Sequence, residues 1–417
     1  MKTSEHLQTH LKKQIEQIND WYNKKVEILK EFNINLPIFS SFDIRDRGNK
    51  VSIVDSNVFP SGFNNLDQKS RDYASKMFLN YLQSISQSKD ILLILENHTR
   101  NKFYFKNIQV LSQILNGAGY NTSLGFLDAG EIIHKKHVPL GYGDVLEVER
   151  IHRNGNSIYT KSFQDGIILL NNDFSVGKPK ILGDISQLVI PPVSLGWYNR
   201  KKSTHFQCYH SFINEIAELT STDPWLLGTF FSHVDDVNFK DRSTLQETAE
   251  AVDSLIENIT QKYREYKISE EPYVFVKNNS GTYGLGVITV SSGNEIKNLN
   301  SKNRKKMSHG KEKSKINSIM IQEGITTKYS IENHPAEPVL YNVGENTVGG
   351  FMRFNLLQDN TDNLNKKGMG FQQLIDNELT HPIILKNGNF SLYSMLAKVA
   401  SLAIAFEHLK ETKKKFN

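Results

Sequence analysis

The chain has 417 residues, of which 38% are hydrophobic and 23% charged. That balance excludes an intrinsically disordered chain and leaves room for about two or three domains with sizeable cores. The net charge of +5 suits a small anion as well as nucleic acid and selects neither, while the single cysteine, Cys208, excludes an intramolecular disulfide framework and points to a reducing compartment.

The first twenty residues mix charged and apolar side chains without a continuous apolar core, unlike a secretory leader. No run approaches the roughly 18 apolar residues of a membrane span, so a cytoplasmic protein is expected. Leu7, Leu11, Ile15, Ile18, Tyr22, Val26, Leu29 and Phe32 recur at spacings of three and four and predict one amphipathic helix over 5–32. Residues 51–65 begin as a short strand and pass into a polar loop. There Asp55, Asn57, Asn64 and Asn65 offer acceptors and amide donors, although a surface turn has the same composition.

Asp90 to Glu96 is a short continuous apolar run, as in a buried parallel strand, and it leads into Glu96, Asn97 and Arg100. In an open α/β sheet ligands bind beyond the carboxyl ends of the strands, so a polar cluster there is a candidate site. Ile167 to Leu170 followed by Asn171, Asn172 and Asp173 repeats the pattern. Val189-Ile190 is a third strand end, leading to Trp197 and to Arg200-Lys-Lys-Ser203. Helices are predicted over 208–219 and 243–266, the second with Ala249, Val252, Leu255, Ile259 and Tyr263 on one face.

The polar segment at 268–272 marks the predicted domain boundary. Residues 1–267 form an open, mostly parallel α/β region that binds substrate, and residues 268–417 form an α+β region that binds nucleotide. Tyr273 to Val276 and Val287 to Val290 read as two strands flanking a loop with Gly281, Thr282, Gly284 and Gly286. The G-x-x-G-x-G spacing, with a strand after it, fits neither a P-loop nor a dinucleotide fingerprint. A mobile hairpin tip and a lid over phosphates with Lys277 beneath it both remain. The basic stretch 302–315 lacks the interleaved aromatics of a nucleic-acid surface. Ile319 to Gly324 is a strand ending in Gln322 and Glu323, and 337–344 and 346–355 pair as strands about Gly344. Glu337 and Asp362 are hard oxygen donors of the type Mg²⁺ requires, with the asparagines nearby. The final helix, 392–409, is alanine-rich and predicted to be buried.

Cys208 on an apolar helix reads as a core residue, and no C-x-x-C, H-E-x-x-H or G-x-S-x-G motif supports zinc or serine chemistry. The short motifs just quoted occur in a distinctive order. Val54-Asp-Ser-Asn57, Glu96-Asn-His-Thr-Arg100, Leu169-Leu-Asn-Asn-Asp173 and Leu195-Gly-Trp197 come first. Asp223-Pro-Trp225, the Lys277 hairpin, Gln322-Glu-Gly324, Val348-Gly-Gly-Phe-Met-Arg353 and Asp362-Asn-Leu-Asn365 follow. Over almost its whole length the chain resembles the proteobacterial glutamate–cysteine ligases of ATP-grasp type. That resemblance implies ATP-dependent joining of the glutamate side-chain carboxylate to the amine of cysteine through an acyl phosphate, with L-glutamate, L-cysteine, ATP and Mg²⁺ as small-molecule ligands and neither nucleic acid nor membrane as partner.

It implies Lys277 and Arg353 as catalytic groups. The glycine loop, Gln322 and Glu323 would be nucleotide contacts. The N-terminal strand ends and polar loops make Asp55, Asn57, Asn64, Asn65, Glu96, Asn97, Arg100, Asn171, Asn172, Trp197 and Arg200 the candidate substrate contacts, and Glu337, Asp362 and Asn365 are the candidate metal donors by chemistry and position. Two departures stand out: no E-x-N pair follows on a late strand, and Asn278-Asn279 precede the loop where a smaller, more acidic pair is expected. A ligase with another amine acceptor and an inactive nucleotide-binding regulator are the alternatives.

Overall fold

Three large sheets are visible in the computed structural model, which describes residues 3–96, 101–127, 135–141, 144–175, 177–239, 241–281, 285–310, 315–374 and 391–416. The first sheet joins β1 (Ser40–Asp46) and β2 (Val51–Asn57) to β15 (Tyr329–Ile331), β16 (His334–Val343), β17 (Asn346–Asn355) and β18 (Met369–Gln373). The second contains β3 (Asp90–Leu95), β4 (Asn121–Phe126), β5 (Lys135–Gly141), β6 (Asp144–Arg150), β9 (Ile167–Leu170) and β10 (Val189–Ile190). The third runs β11 (Phe231–Val234), β14 (Ile319–Glu323), β12 (Val274–Asn278), β13 (Val287–Val290), and a small ribbon pairs β7 (His152–Asn154) with β8 (Ser157–Tyr159).

The second sheet is the open, mostly parallel α/β unit expected. β10, β9, β3, β4 and β6 run parallel to their neighbours, and only β5 is antiparallel. The Ile and Leu side chains of β3 and β9 are buried on both faces, which is why these strands read as unbroken apolar runs. Helices α3 (Gln68–Ile85) and α4 (Lys102–Gly117) cover one face and share a core with the first sheet.

The other two sheets take strands from both sides of residue 268. β1 pairs antiparallel with β16, and β11 pairs antiparallel with β14. Alternation across the first sheet then decides which side chains meet. Phe42, Ile44 and Leu340 enter the core that also holds α5 (Lys202–Thr220), α6 (Arg242–Glu265) and α9 (Leu392–Phe416). Asp43 lies opposite Val339 and Arg353 opposite Glu337, so these charges share the other face.

The helix expected over 5–32 is two, α1 (Ser4–Lys12) and α2 (Ile15–Glu31). Gln14 leaves helical backbone between them, and its side-chain amide donates to the Thr220 carbonyl at 3.3 Å, pinning the break to the end of α5. The basic stretch contributes α8 (Ser301–Ser308), after the short α7 (Gly293–Lys297). In α9, Leu392–Lys413 is long and apolar enough to cross a membrane, contrary to the expectation that no run is. Of its most apolar 18-residue window 78% is buried within the fold, so it packs as a core helix whose alanines allow close approach to α5 and the first sheet.

Candidate active site

One cavity lies between the charged face of the first sheet and the hairpin β12–β13 of the third. Asp43 and Arg45 of β1, Asp55 of β2, Glu337 of β16 and Arg353 of β17 supply one wall; Phe275 and Lys277 of β12 and Val287 of β13 supply the other. Lys202 enters from the first turn of α5, and Gly281, Leu285, Asn363 and Asn365 from the loops. The period of two places Phe275 and Lys277 toward the cavity, while Val274 and Val276 enter the core behind them.

The charges are tightly paired. Arg353 donates through Nε to Glu337 Oε1 at 2.9 Å and through Nη2 to both Glu337 and Asp43. Arg45 Nε donates to the other Glu337 oxygen, and its remaining nitrogens reach the Ile325 and Asn360 carbonyls at 3.3 Å and the Asp362 carbonyl at 3.1 Å. Burial raises the Glu337 carboxyl, but the two guanidiniums outweigh it and hold the group below the usual carboxylate range. Asp55 is paired with Lys202 and also lies below that range, since Lys202 and Lys277 together overcome its desolvation. Lys277 Nζ donates to Gln322 Oε1 at 2.6 Å and to the Val54 carbonyl at 3.2 Å, and burial pushes its ammonium down to about 8.

Of the residues singled out from sequence, Asp55, Lys277, Gly281, Glu337, Arg353 and Asn365 converge on this cavity. Gln322 stands behind Lys277, and its amide donates onward to Thr229 at 3.0 Å. Glu323 is turned away. It accepts from Lys50 at 2.8 Å, from Trp225 Nε1 at 3.1 Å and from the Phe230 amide at 2.9 Å, in the core. Gly286 forms the end of the loop with φ +63°, where a Cβ would lie 2.5 Å from Ile316. Arg200 is spent internally on Glu407 and Ser56, and Trp197 lies beneath Arg200 and Lys202 with 4% exposure.

The strand-end asparagines of the second sheet bind main chain rather than lining the cavity. Asn171 donates to the Pro60 carbonyl at 3.0 Å and Asn172 to the Leu95 carbonyl at 3.1 Å. Asn64 donates to Asn65 at 3.0 Å, Asn57 closes β2 opposite Ser41, and the Glu96 amide donates to Tyr104. Asn97, Arg100, Thr282 and Gly284 lie outside the described residues.

Three charged cavity residues escaped the sequence reading. Asp43 and Arg45 alternate with Phe42 and Ile44 in a strand whose every residue is buried, a period-two pattern of charge that was legible but passed over. Lys202 stood in a quoted basic run, where sequence does not say which of three cations turns inward.

A resident metal does not fit the three proposed donors in this arrangement. Both Glu337 oxygens are taken by arginines, Asp362 pairs with Lys366 at 3.2 Å, and among the described residues no group of three or more His, Cys, Asp and Glu side chains is placed to hold a metal ion. Phosphate fits better. Arg45, Lys202, Lys277 and Arg353 face Asp43, Asp55 and Glu337, an excess of one positive charge in a partly buried space.

Comparison with known proteins places the chain among the ligases. The model of the glutamate–cysteine ligase family matches residues 8–408, and the chain belongs to that family, whose reaction joins glutamate to cysteine. Its fold is close to the crystal structure of a protein provisionally assigned as a gamma-glutamylcysteine synthetase from Methylobacillus flagellatus KT. The identity is 33%, the TM-score 0.86, and the match covers 97% of this chain and 96% of that one. A D-alanyl-alanine synthetase A from Vibrio cholerae aligns over 78% of this chain and 82% of its own at 9% identity and a TM-score of 0.34, too distant to bear on the fold. No curated protein matches the chain in sequence.

Proposed function

We propose that the cavity binds ATP together with L-glutamate, moves the γ-phosphoryl group onto the glutamate γ-carboxylate, and presents the resulting acyl phosphate to the amine of L-cysteine. The product is γ-glutamylcysteine, the first step towards glutathione. A carboxylate is a poor electrophile, and its acyl phosphate is a good one. Catalysis is then mostly positioning and cancellation of charge on the transferring group.

The excess of cations in one half-buried cavity carries the reading. Lys277, held by Gln322, and Lys202, held by Asp55, face the phosphates in this assignment. Phe275, Leu285, Val287 and Ile325 offer an apolar wall suited to the purine. The first sheet and the β12–β13 hairpin act as the two jaws of an ATP-grasp-like site that shields the acyl phosphate from water. Arg353 Nη1 makes no hydrogen bond among the described residues and is free to hold the reacting carbonyl oxygen. A magnesium ion carried in on the nucleotide supplies further cancellation of phosphate charge when bound.

Coupled measurement of ADP release tests the proposal. Release requiring glutamate, and supporting product only when cysteine is also present, is expected. ATP hydrolysis indifferent to both amino acids overturns it.

A further inference from the structure

The amine of free cysteine is an ammonium at neutral pH, and an ammonium has no lone pair with which to attack. A proton must therefore leave the nitrogen before the C–N bond forms, and the cavity holds three carboxylates to which it could go. Their surroundings differ. Glu337 has both oxygens engaged by arginines, and Asp55 is paired with one lysine and faced by another, so neither has appreciable affinity for a proton. Asp43 is bound through Oδ2 alone, to Arg353, and its Oδ1 accepts no hydrogen bond among the described residues. It lines the cavity with 6% of its surface exposed.

We propose that Asp43 is the general base of the ligation step, taking the proton from the cysteine ammonium. The inference rests on the acyl-phosphate reading above. Its geometry is local: Arg353 touches Asp43, so a carbonyl oxygen held by Arg353 places the reacting carbon beside the Asp43 carboxylate. The nitrogen loses one proton to Asp43, and its lone pair then forms the C–N bond while the carbonyl oxygen takes the π pair. That pair returns as the C–O bond to phosphate breaks, and the nitrogen's second proton leaves with the phosphate or through solvent.

The charged and titratable groups facing Asp43 are Arg353 from β17, Glu337 and Tyr341 from β16, Asp55 from β2 and, across the cavity, Lys277 from β12. Burial raises the Asp43 carboxyl above its ordinary value, and Glu337 and Asp55 push the same way against the pull of Arg353. That direction favours a base.

Hydroxylamine provides the test, because it is largely uncharged at neutral pH and attacks an acyl phosphate without surrendering a proton first. With glutamate and ATP, Asp43→Asn is expected to lower γ-glutamylcysteine formation by about a hundredfold or more, the usual reach of general-base catalysis. Formation of γ-glutamyl hydroxamate should fall far less. Equal retention of both activities overturns the inference. If both are lost together, formate added to Asp43→Ala decides the matter: return of ligation with formate supports the base, and no return overturns it. Wild-type enzyme that ligates glutamate and cysteine but yields no hydroxamate overturns the acyl-phosphate reading first, and this inference with it.

Discussion

Lys277 and Gln322 are diagonal neighbours across the β12–β14 ladder, and the ammonium of one rests 2.6 Å from the side-chain oxygen of the other. The amide fixes the lysine's direction without neutralising it, which leaves the charge for a ligand. Burial pushes Lys277 down to about 8, against an opposing pull from Asp55. Above that pH the free enzyme holds the neutral amine, and bound phosphates restore the ammonium. ATP binding at pH 8.5 should therefore take up a fraction of a proton, and apparent affinity should fall as pH rises through 8. Calorimetry in buffers of different ionisation enthalpy reads the uptake, and Lys277→Met should abolish it along with turnover.

Arg200 is expected to act on stability before it acts on substrate. Its Nε and Nη2 donate to Glu407 at 2.8 and 3.1 Å, and Nη1 and Nη2 reach the carbonyl and hydroxyl of Ser56, both at 2.8 Å. Removing one partner of a buried ion pair typically costs about 3–5 kcal/mol, because the other is left uncompensated. Urea unfolding of Arg200→Ala should show a loss of that order. An unchanged midpoint with a raised KM for an amino acid would instead return Arg200 to the substrate contacts.

Lys50 and Glu323 form a second internal pair, both wholly shielded and 2.8 Å apart, with the ammonium 3.8 Å from the centre of the Trp225 ring. Lys50→Met should cost about 3 kcal/mol or more, whereas Lys50→Met with Glu323→Gln should recover part of the loss. Burial pushes Lys50 down to about 8, outweighing Glu323. The unfolded chain, with lysine near ~10.4, binds more protons than the fold between those values, so stability rises with pH across that window. Part of the rise should vanish in Lys50→Met, as melts at pH 8 and 10 would reveal.

Cys208 offers a control. Burial pushes its thiol up to about 11, and 3% of its surface is exposed. Iodoacetamide at pH 8 should label the native protein slowly and the urea-unfolded protein fast, as mass spectrometry can follow. Cys208→Ala should keep turnover within about twofold, since no covalent step needs a protein thiol. A dead variant of normal stability would contradict that.

Much of the fold was legible because its signals are local. β3 and β9 are unbroken apolar runs, α6 has a clean apolar face, and Lys277 sits at a strand end before glycines. The cavity's other wall was less legible for a physical reason. Asp43, Arg45, Glu337 and Arg353 meet only because β1 pairs with β16, and nothing near residue 43 announces a partner near 339. Likewise Asn171 and Asn172 carry the composition of a ligand site yet close main-chain hydrogen bonds, a distinction that only tertiary contacts draw. The missed break at Gln14 is of the same kind, set by Thr220 rather than by the helix itself.

The pairing of β1 with β16 also has a consequence for how the protein is made. Ser40 finds its partner, Asn342, about three hundred residues later in the chain. At roughly 5–20 residues per second, a ribosome takes tens of seconds to deliver β16 after β1 has emerged. Until then the β1 edge of the β1–β2 hairpin lacks its partner, and three buried-in-waiting charges, Asp43, Arg45 and Asp46, stand in water. The open sheet of residues 90–190 can assemble on the nascent chain, but the cavity must wait for β16 and β17.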